Sequence, residues 1–460
     1  MTPIRNARVE VIDPDTGSVL SVSQTGQSGN FQVTAPVQSN CRVRVLSRMR
    51  DANVLVVDNT NSNSLYAAVS DLAPGDTNSL VIARDSNRVS GAFNILEMLR
   101  EGREMARYAD PSQIVPDITV FWSPLNSPNP GAAKESLGAT YFDPRTKTIS
   151  LIGDRSIDSD EFDDSVILHE FGHFLASAFS RDSSPGGVHL LGDALDPRLA
   201  WSEGWANFFS SAVRNNPIFL DSYGPAGSKV LRFDLRDATP DGDKPGYWSE
   251  FSVHSILWDL FGDKSGDADS VPQPIQTIWS AFTVLKQDRQ VYLPYFLQHL
   301  AEHPELTTVV STMAQSRSID FHPDRKPNVS NPFPKSFAIG DVVTGTLDSY
   351  STQRKELLQS SDFWTFHAPG GPMSLRLDIT GLGPGNNPDT NDLDLFLFAL
   401  DGTLVDFADQ GFNGESQLLV VSVPPGDYMV EVRSYYGRAD TGETVFNSAT
   451  YQLIVRTPTP

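Results

Sequence analysis

Cysteine, basic residues and long apolar runs are scarce in this 460-residue chain. A single cysteine, Cys41, excludes an intramolecular disulfide, so packing or a metal must hold the fold together. Lys and Arg number 35 against 57 Asp and Glu, a net charge of −22, which disfavours nucleic acid and anionic membrane surfaces as partners. No run of about 18 apolar residues occurs, so we expect no membrane span. The remaining partners are proteins, peptides or small molecules.

The N-terminus, MTPIRNARVEV, enters an alternating strand pattern at once and lacks the apolar stretch of a signal peptide. If the protein is exported, its signal peptide is absent from this sequence.

Changes in hydrophobic periodicity predict several domains. Short alternating runs between turn clusters predict a β-sandwich over 1–83, and alternation returns over 337–460 in a second sandwich. Between them, 84–321 combines a few strands with helical stretches at 92–108, 161–179, 202–214, 251–262, 275–286 and 292–303. The Pro-rich segment 322–336 reads as a linker. The predicted fold class is multidomain: an α+β catalytic domain flanked by two all-β sandwiches.

The sequence His169-Glu170-Phe171-Gly172-His173 lies inside an apolar helical stretch. Histidines at i and i+4 project from one helix face, so both imidazoles reach a single Zn²⁺. Glu170 lies beside that position and can accept a proton from a water molecule on the metal. The spacing therefore predicts a catalytic zinc ion.

A catalytic zinc ion needs a third protein ligand. Glu203, on a second helical stretch, is the leading candidate, and Asn207 lies one turn further along the same face, where it can orient a ligand imidazole. His189, Asp193 and Asp196, in a loop between the two helices, are the rival ligands.

Peptide hydrolysis also requires a hydrogen-bond donor for the oxyanion that develops on the attacked carbonyl. The candidates are His254 and Tyr247, near the start of the helix at 251. The alternative for His254 is an ordinary core position on an apolar helix.

Two acidic segments raise the question of Ca²⁺. The run 158–161 lies at the start of the helical stretch that carries His169 and His173. Helix capping is the favoured interpretation of this run, and calcium binding is the alternative. Asp392, Asp394 and Asp401 offer oxygen ligands in the C-terminal region, although alternating Asp residues are also typical of a solvated strand face.

The motif HEFGH with the downstream WSEGWANFF makes 84–320 resemble a bacterial gluzincin-type, thermolysin-like zinc metallopeptidase. The resemblance implies that His169, His173 and Glu203 bind zinc and that Glu170 is the general base. Members of that class usually carry an acidic residue where this chain has Asn207. The resemblance also implies that an edge strand binds extended substrate by main-chain pairing, which would fall here on Thr148, Ile149, Ser150, Leu151 and Ile152.

The flanking regions resemble modules that accompany such enzymes. DPDTG followed by TGQSGNFQV resembles a transthyretin-like module, and DLDLFLFALDGTLV followed by VPPGDYMVEV resembles the bacterial pre-peptidase C-terminal domain. These resemblances imply a secreted, periplasmic or cell-surface bacterial protein. The leading hypothesis is a secreted zinc endopeptidase. The alternatives are a surface adhesion or binding protein with a structural or idle zinc site, and a zinc exopeptidase or amidase.

Overall fold

The computed structural model describes residues 3–34, 41–72, 80–82, 89–129, 135–186, 189–239, 244–262, 273–288, 290–323, 334–348, 360–382, 392–409, 414–434, 437–438, 444–445 and 448–457. The chain forms two compact units, one made of Met1–Ala178 with Trp205–Arg236 and the other of Phe179–Gly204 with Asp237–Pro460. Most of the predicted linker, 324–333, lies outside the described residues.

The first unit begins with strands, then one long helix, then more strands. The N-terminal strands are β1 Ala7–Ile12, β2 Val19–Gln24, β3 Cys41–Met49, β4 Val54–Asp58, β5 Ser64–Leu65 and β6 Ala67–Leu72. They are followed by α1 Val89–Ala109, β7 Ile118–Trp122, β8 Asn126–Ser127, β9 Glu135–Ser136, β10 Tyr141–Asp143, β11 Thr148–Leu151, β12 Gly153–Asp154 and β13 Asp158–Ser159.

The N-terminal strands do not close into the separate sandwich that the sequence predicts over 1–83. They continue into a nine-stranded sheet of order β10-β11-β7-β4-β3-β1-β2, in which β5 pairs with β4 and β6 with β3. The junction is β4, which pairs with β3 on one side and in parallel with β7 on the other. Val54, Val56 and Val57 of β4 are all buried, as expected for an inner strand, and α1 forms the crossover to β7.

The strand proposed as an edge for substrate is also an inner strand. β11 pairs antiparallel with β10 and parallel with β7, so both of its edges are occupied. Beyond its end, the Ile152 amide donates to Thr140 Oγ1 at 3.0 Å and the Ile152 carbonyl accepts from the Asp160 amide. The expectation of substrate pairing along 148–152 is therefore corrected: the outer strand on this side of the sheet is β10.

Two helices and a hairpin follow: α2 Asp164–Phe179, α3 Pro197–Arg214, β14 Ile218–Tyr223 and β15 Lys229–Asp234. Strands β12, β13, β14 and β15 form a four-stranded sheet in that order. Helix α3 is uninterrupted where the chain passes from the second unit to the first, between Gly204 and Trp205.

The second unit contains four more helices: α4 Glu250–Phe261, α5 Ile275–Val284, α6 Leu293–Ala301 and α7 Thr307–Ser316. The predicted helices at 251–262, 275–286 and 292–303 are thus confirmed, with ends differing by a few residues. Helix α7 is an addition that the sequence analysis did not predict. Within the described part of the chain, none of the helices has the length and apolarity needed to cross a membrane.

The predicted C-terminal all-β region is confirmed. Its strands are β16 Lys335–Ser336, β17 Val342–Asp348, β18 Ser361–Ala368, β19 Gly371–Leu382, β20 Leu393–Ala399, β21 Leu404–Ala408, β22 Gln417–Val423, β23 Gly426–Ser434, β24 Gly437–Arg438, β25 Thr444–Val445 and β26 Ser448–Arg456. A five-stranded sheet, β16-β18-β23-β20-β21, and a four-stranded sheet, β17-β26-β19-β22, enclose one core that includes Leu395, Val430 and Tyr451.

One buried ion pair joins this five-stranded sheet to the start of α3. Arg198 donates through Nη2 to Glu431 Oε1 at 2.7 Å and through Nη1 to Oε2 at 3.0 Å, and it also binds Asp196. Burial raises the pKa of Glu431, but Arg198 and Arg433 outweigh this and hold that pKa below its usual value. The carboxylate is therefore ionised in an environment from which water is excluded.

Candidate metal centre

Helices α2 and α3 pack closely at a small-residue contact. A Cβ added to Gly172 would lie 2.9 Å from the Cα of Ala206, so only glycine permits this approach. The indole N–H of Trp205 donates to the Gly172 carbonyl at 3.2 Å, and the Ser210 hydroxyl donates to the Ser165 carbonyl at 2.8 Å. These contacts fix the residues of α3 beside the histidines of α2.

His169 and His173 direct their imidazoles to one point. Their Nε2 atoms lie 3.1 Å apart, and their ring planes are nearly perpendicular at 83°. Two nitrogens that each bind one tetrahedral zinc ion at about 2.0–2.1 Å are separated by about 3.3 Å. The pair therefore has the spacing that a shared metal ion requires.

Glu203 adds a third potential ligand to the histidine pair. It precedes Asn207 by one turn of the uninterrupted helix α3, so its position follows from that of Asn207. His169, His173 and Glu203 offer ligand atoms that all lie within 4.8 Å of one another. Two imidazoles and one carboxylate are the donor set of many catalytic zinc sites, and they fit this metal.

Asn207 and Phe219 surround the first histidine. Asn207 Oδ1 lies 2.9 Å from Nδ1 of His169, and the Phe219 ring packs edge-on against the imidazole with centroids 5.9 Å apart. A proton on Nδ1, donated to the amide oxygen, leaves the Nε2 lone pair for a metal. Glu170, the next residue along α2, is buried.

The rival ligands have other partners. Asp196 receives hydrogen bonds from Arg198 on both carboxylate oxygens, and Asp193 Oδ2 accepts from the Leu190 amide at 2.9 Å. His189 Nε2 lies 3.7 Å from Glu203 Oε2 and forms a second potential ligand group with Glu203 and Glu250. The sequence analysis overlooked Glu250 because the first residue of α4 carries no local motif.

The two proposed oxyanion donors lie in the interior of the second unit. His254 is 0% exposed, and its ring packs edge-on against Phe251 with centroids 5.0 Å apart. Tyr247 is also buried and packs against Trp248. The complete burial of His254 corresponds to the core position that the sequence analysis kept as its alternative.

Acidic residues gather near the start of α2. Asp158, Asp160 and Asp221 offer carboxylate oxygens within 4.8 Å of one another. Burial, followed by repulsion from neighbouring carboxylates, raises the pKa of Asp158 to about 6 and that of Asp221 to about 7, and also raises the pKa of Asp160. Helix α2 begins at Asp164, so the run 158–161, which the sequence analysis interpreted as a helix cap, ends before the first residue of the helix. Sequence reasoning missed Asp221, which the pairing of β14 with β13 brings to this run.

A third acidic group lies in the C-terminal sandwich. Asp392 and Asp394 are grouped there with Asp409, whereas the sequence analysis named Asp401. The Asp401 carboxylate instead accepts from the Thr403 amide at 2.9 Å in the turn between β20 and β21.

Comparison with known proteins relates part of the chain to a peptidase. Residues 116–315 match the model of the Mycolysin C-terminal domain, and the matched range includes helices α2 and α3. No curated protein matches the chain. Three of the solved structures that match do so over 27–28% of this chain and 100% of their own.

All three are distant from this chain in sequence. The pre-peptidase C-terminal domain of collagenase from Bacillus anthracis is 15% identical with a TM-score of 0.19. Two periplasmic inhibitors of g-type lysozyme, PliG of Aeromonas hydrophila and a PliG mutant of Escherichia coli, are 14% and 17% identical with TM-scores of 0.16. The family match over residues 116–315 is therefore the informative result.

Proposed function

We propose that this protein is a secreted zinc-dependent endopeptidase. The observation that carries the proposal is the convergence of His169, His173 and Glu203, whose ligand atoms lie within 4.8 Å of one another on two closely packed helices. Similarity of residues 116–315 to the Mycolysin C-terminal domain supports a peptidase, and it also supports a secreted or cell-surface bacterial location.

In this proposal the protein residues hold the metal and move one proton. A bound zinc ion supplies Lewis acidity, polarising the substrate carbonyl and lowering the pKa of water. The Glu170 carboxylate accepts the proton of the attacking water molecule and delivers it to the leaving amine. Asn207 holds the His169 ring in the tautomer whose Nε2 faces the metal.

The oxyanion donor in this proposal is His189. Its Nε2 lies 3.7 Å from Glu203 Oε2, and its side chain is 25% exposed, so a substrate can reach it. His254 has no exposed surface through which to contact a substrate. An imidazole N–H beside the third ligand is suitably placed to stabilise negative charge on the attacked carbonyl.

Strand β10 is the proposed site of main-chain pairing with substrate. Among the described residues it pairs with β11 alone, which leaves its other edge open. Phe142 of β10 contacts the ring of Phe174, with centroids 6.0 Å apart, and Phe174 directly follows His173. An extended peptide added to this edge would therefore run beside helix α2.

Cleavage of an unbiased peptide library, read by mass spectrometry, tests the function. Zinc-loaded wild-type protein should make internal cuts, and zinc-loaded Glu170→Gln, which keeps all three ligands, should not. If only terminal residues are removed, the protein is an exopeptidase and not an endopeptidase. Absence of cleavage by the wild type with zinc bound would contradict the proposal and favour a binding protein with an idle metal site.

A further inference from the structure

The five-stranded sheet of the C-terminal sandwich buries two carboxylates on the face opposite its core. Leu393, Leu395 and Leu397 of β20 pack into the sandwich core, so the alternating residues face the other way. Asp392 and Asp394 are nevertheless only 7% and 5% exposed. Two acidic side chains are thus withdrawn from water at the beginning of a single inner strand, Asp392 directly before β20 and Asp394 within it.

A third carboxylate meets them across the sheet. β20 pairs with β21 in a register that places Leu395 opposite Ala408. Asp394 precedes Leu395 and Asp409 directly follows Ala408, so continuing this antiparallel register beyond the end of β21 brings Asp409 to Asp394. Asp392, Asp394 and Asp409 offer oxygens that all lie within 4.8 Å of one another. Like charges directly opposite on neighbouring strands repel, so this arrangement is unfavourable without a counter-charge.

The arginine opposite Asp394 in the sheet is bound mainly to another carboxylate. Arg433 lies opposite Asp394 on β23, but its guanidinium donates to both oxygens of Glu431, at 2.9 and 3.0 Å, and stacks 4.2 Å above the Phe396 ring. Oδ1 of Asp394 is buried and has no hydrogen-bond partner in the described part of the chain. A cation bound to this oxygen would satisfy it.

The pKa values of Asp392 and Asp394 are raised, as expected for carboxyl groups that are buried close together. Burial, then repulsion from Asp392 and Asp409, raises the pKa of Asp394 to about 8, although Arg433 acts in the opposite direction. Burial and Asp409 raise the pKa of Asp392 to about 6. A divalent cation would remove this repulsion and leave all three carboxylates ionised at neutral pH.

We propose that Asp392, Asp394 and Asp409 bind a calcium ion. The donors are all carboxylate oxygens, without the nitrogen or sulfur ligands that favour zinc. Ca²⁺ accepts oxygens at about 2.3–2.6 Å in flexible geometry, whereas Mg²⁺ demands a near-ideal octahedron and usually keeps several water molecules. The ion would link β20 to the end of β21 in the second unit.

The test is calorimetric titration of CaCl₂ into the full-length chain. The chain carries Glu170→Gln to prevent self-digestion, is stripped of metals and is reloaded with one equivalent of zinc. We expect one binding event with a Kd of about 10⁻⁴–10⁻³ M or tighter, as in extracellular calcium modules. Asp394→Asn and Asp409→Asn should each weaken it at least about tenfold, the effect of losing a charged ligand. Asp401→Asn, a substitution in the same hairpin outside the group, should leave the affinity unchanged.

Thermal unfolding gives an independent readout. About 10 mM CaCl₂ should raise the Tm of the full-length Glu170→Gln chain by several degrees, and MgCl₂ should raise it less. Asp394→Asn removes the repulsion itself, so its transition should be insensitive to calcium. Asp409 is exposed, so Asp409→Asn keeps the test available if Asp394→Asn does not fold. Calcium binding that survives both substitutions and disappears with Asp221→Asn, no calcium binding at all, or equal effects of MgCl₂ would each overturn the proposal.

Discussion

Asn207 Oδ1 lies 2.9 Å from His169 Nδ1, although the two residues are on different helices. The contact depends on Gly172, because any larger residue there would push α3 away from α2. One glycine of the HEFGH segment thus sets the distance across which an amide contacts the imidazole of a proposed metal ligand.

Asn207→Ala should weaken zinc binding by about 10–100-fold, because His169 loses the acceptor that selects its tautomer. Asn207→Asp supplies an acidic acceptor at the same place and should retain or strengthen binding. Competition with a chromogenic chelator measures both affinities. Equal zinc affinity in wild type and Asn207→Ala would show that the amide does not orient the ring.

Glu170→Gln should lower kcat by at least about 10²–10⁴-fold, the usual contribution of a general base. Zinc content, measured by mass spectrometry of the metal, should remain one per chain because no ligand is changed. Activity close to that of the wild type would exclude Glu170 as the proton acceptor.

His173→Gln and His189→Gln distinguish a metal ligand from an oxyanion donor. His173→Gln should lose zinc, because one of the two imidazoles of the ligand set is removed. His189→Gln should keep zinc and lower kcat by about 10²–10³-fold, as when one oxyanion donor is deleted. Loss of zinc from the His189 variant would instead make His189 a ligand.

Without added metals, the acidic group near α2 should make stability fall as pH rises. The pKa of Asp158 is raised to about 6 and that of Asp221 to about 7 in the folded chain, above the ordinary value of 3.8. The folded state therefore holds more protons than the unfolded state between about pH 4 and 7, and their stabilising effect is lost as pH rises through the folded pKa values.

Asp221→Asn should make this decline shallower. The measurement is Tm against pH for the zinc-free wild type and for zinc-free Asp221→Asn, so that metal release does not contribute. Parallel curves for the two proteins would contradict the assignment of the raised pKa to Asp221.

Arg198→Met should destabilise the chain by about 3–5 kcal/mol, because Glu431, at 0% exposure, would lose a principal counter-charge. Arg198→Met combined with Glu431→Met should recover much of this loss. The matched control is Arg236→Met, which breaks an exposed pair with Asp234 and should cost about 0–1 kcal/mol. Urea unfolding measures the free energy of unfolding of all three variants. If Arg198→Met loses no more than Arg236→Met, the buried pair does not stabilise the fold.

Local sequence patterns anticipated the helices better than the strand partners. Helical periodicity predicted α2, α4 and α5 within a few residues, because side-chain burial on one helix face repeats every three to four positions. The same reasoning assigned β4 to a closed N-terminal sandwich, since alternation indicates a strand without naming its neighbours. Only the parallel pairing of β4 with β7 showed the continuous sheet.

The amino-acid sequence by itself determined the spacing of His169, Glu170 and His173 along one helix, because helix geometry is local. It also determined the shortage of cationic residues and the absence of an intramolecular disulfide. The tertiary structure alone decided that β11 is an inner strand, that His254 lies in the core, and that Asp409 rather than Asp401 joins Asp394. These relationships depend on strand register and on packing between residues far apart in the chain, which no local pattern encodes.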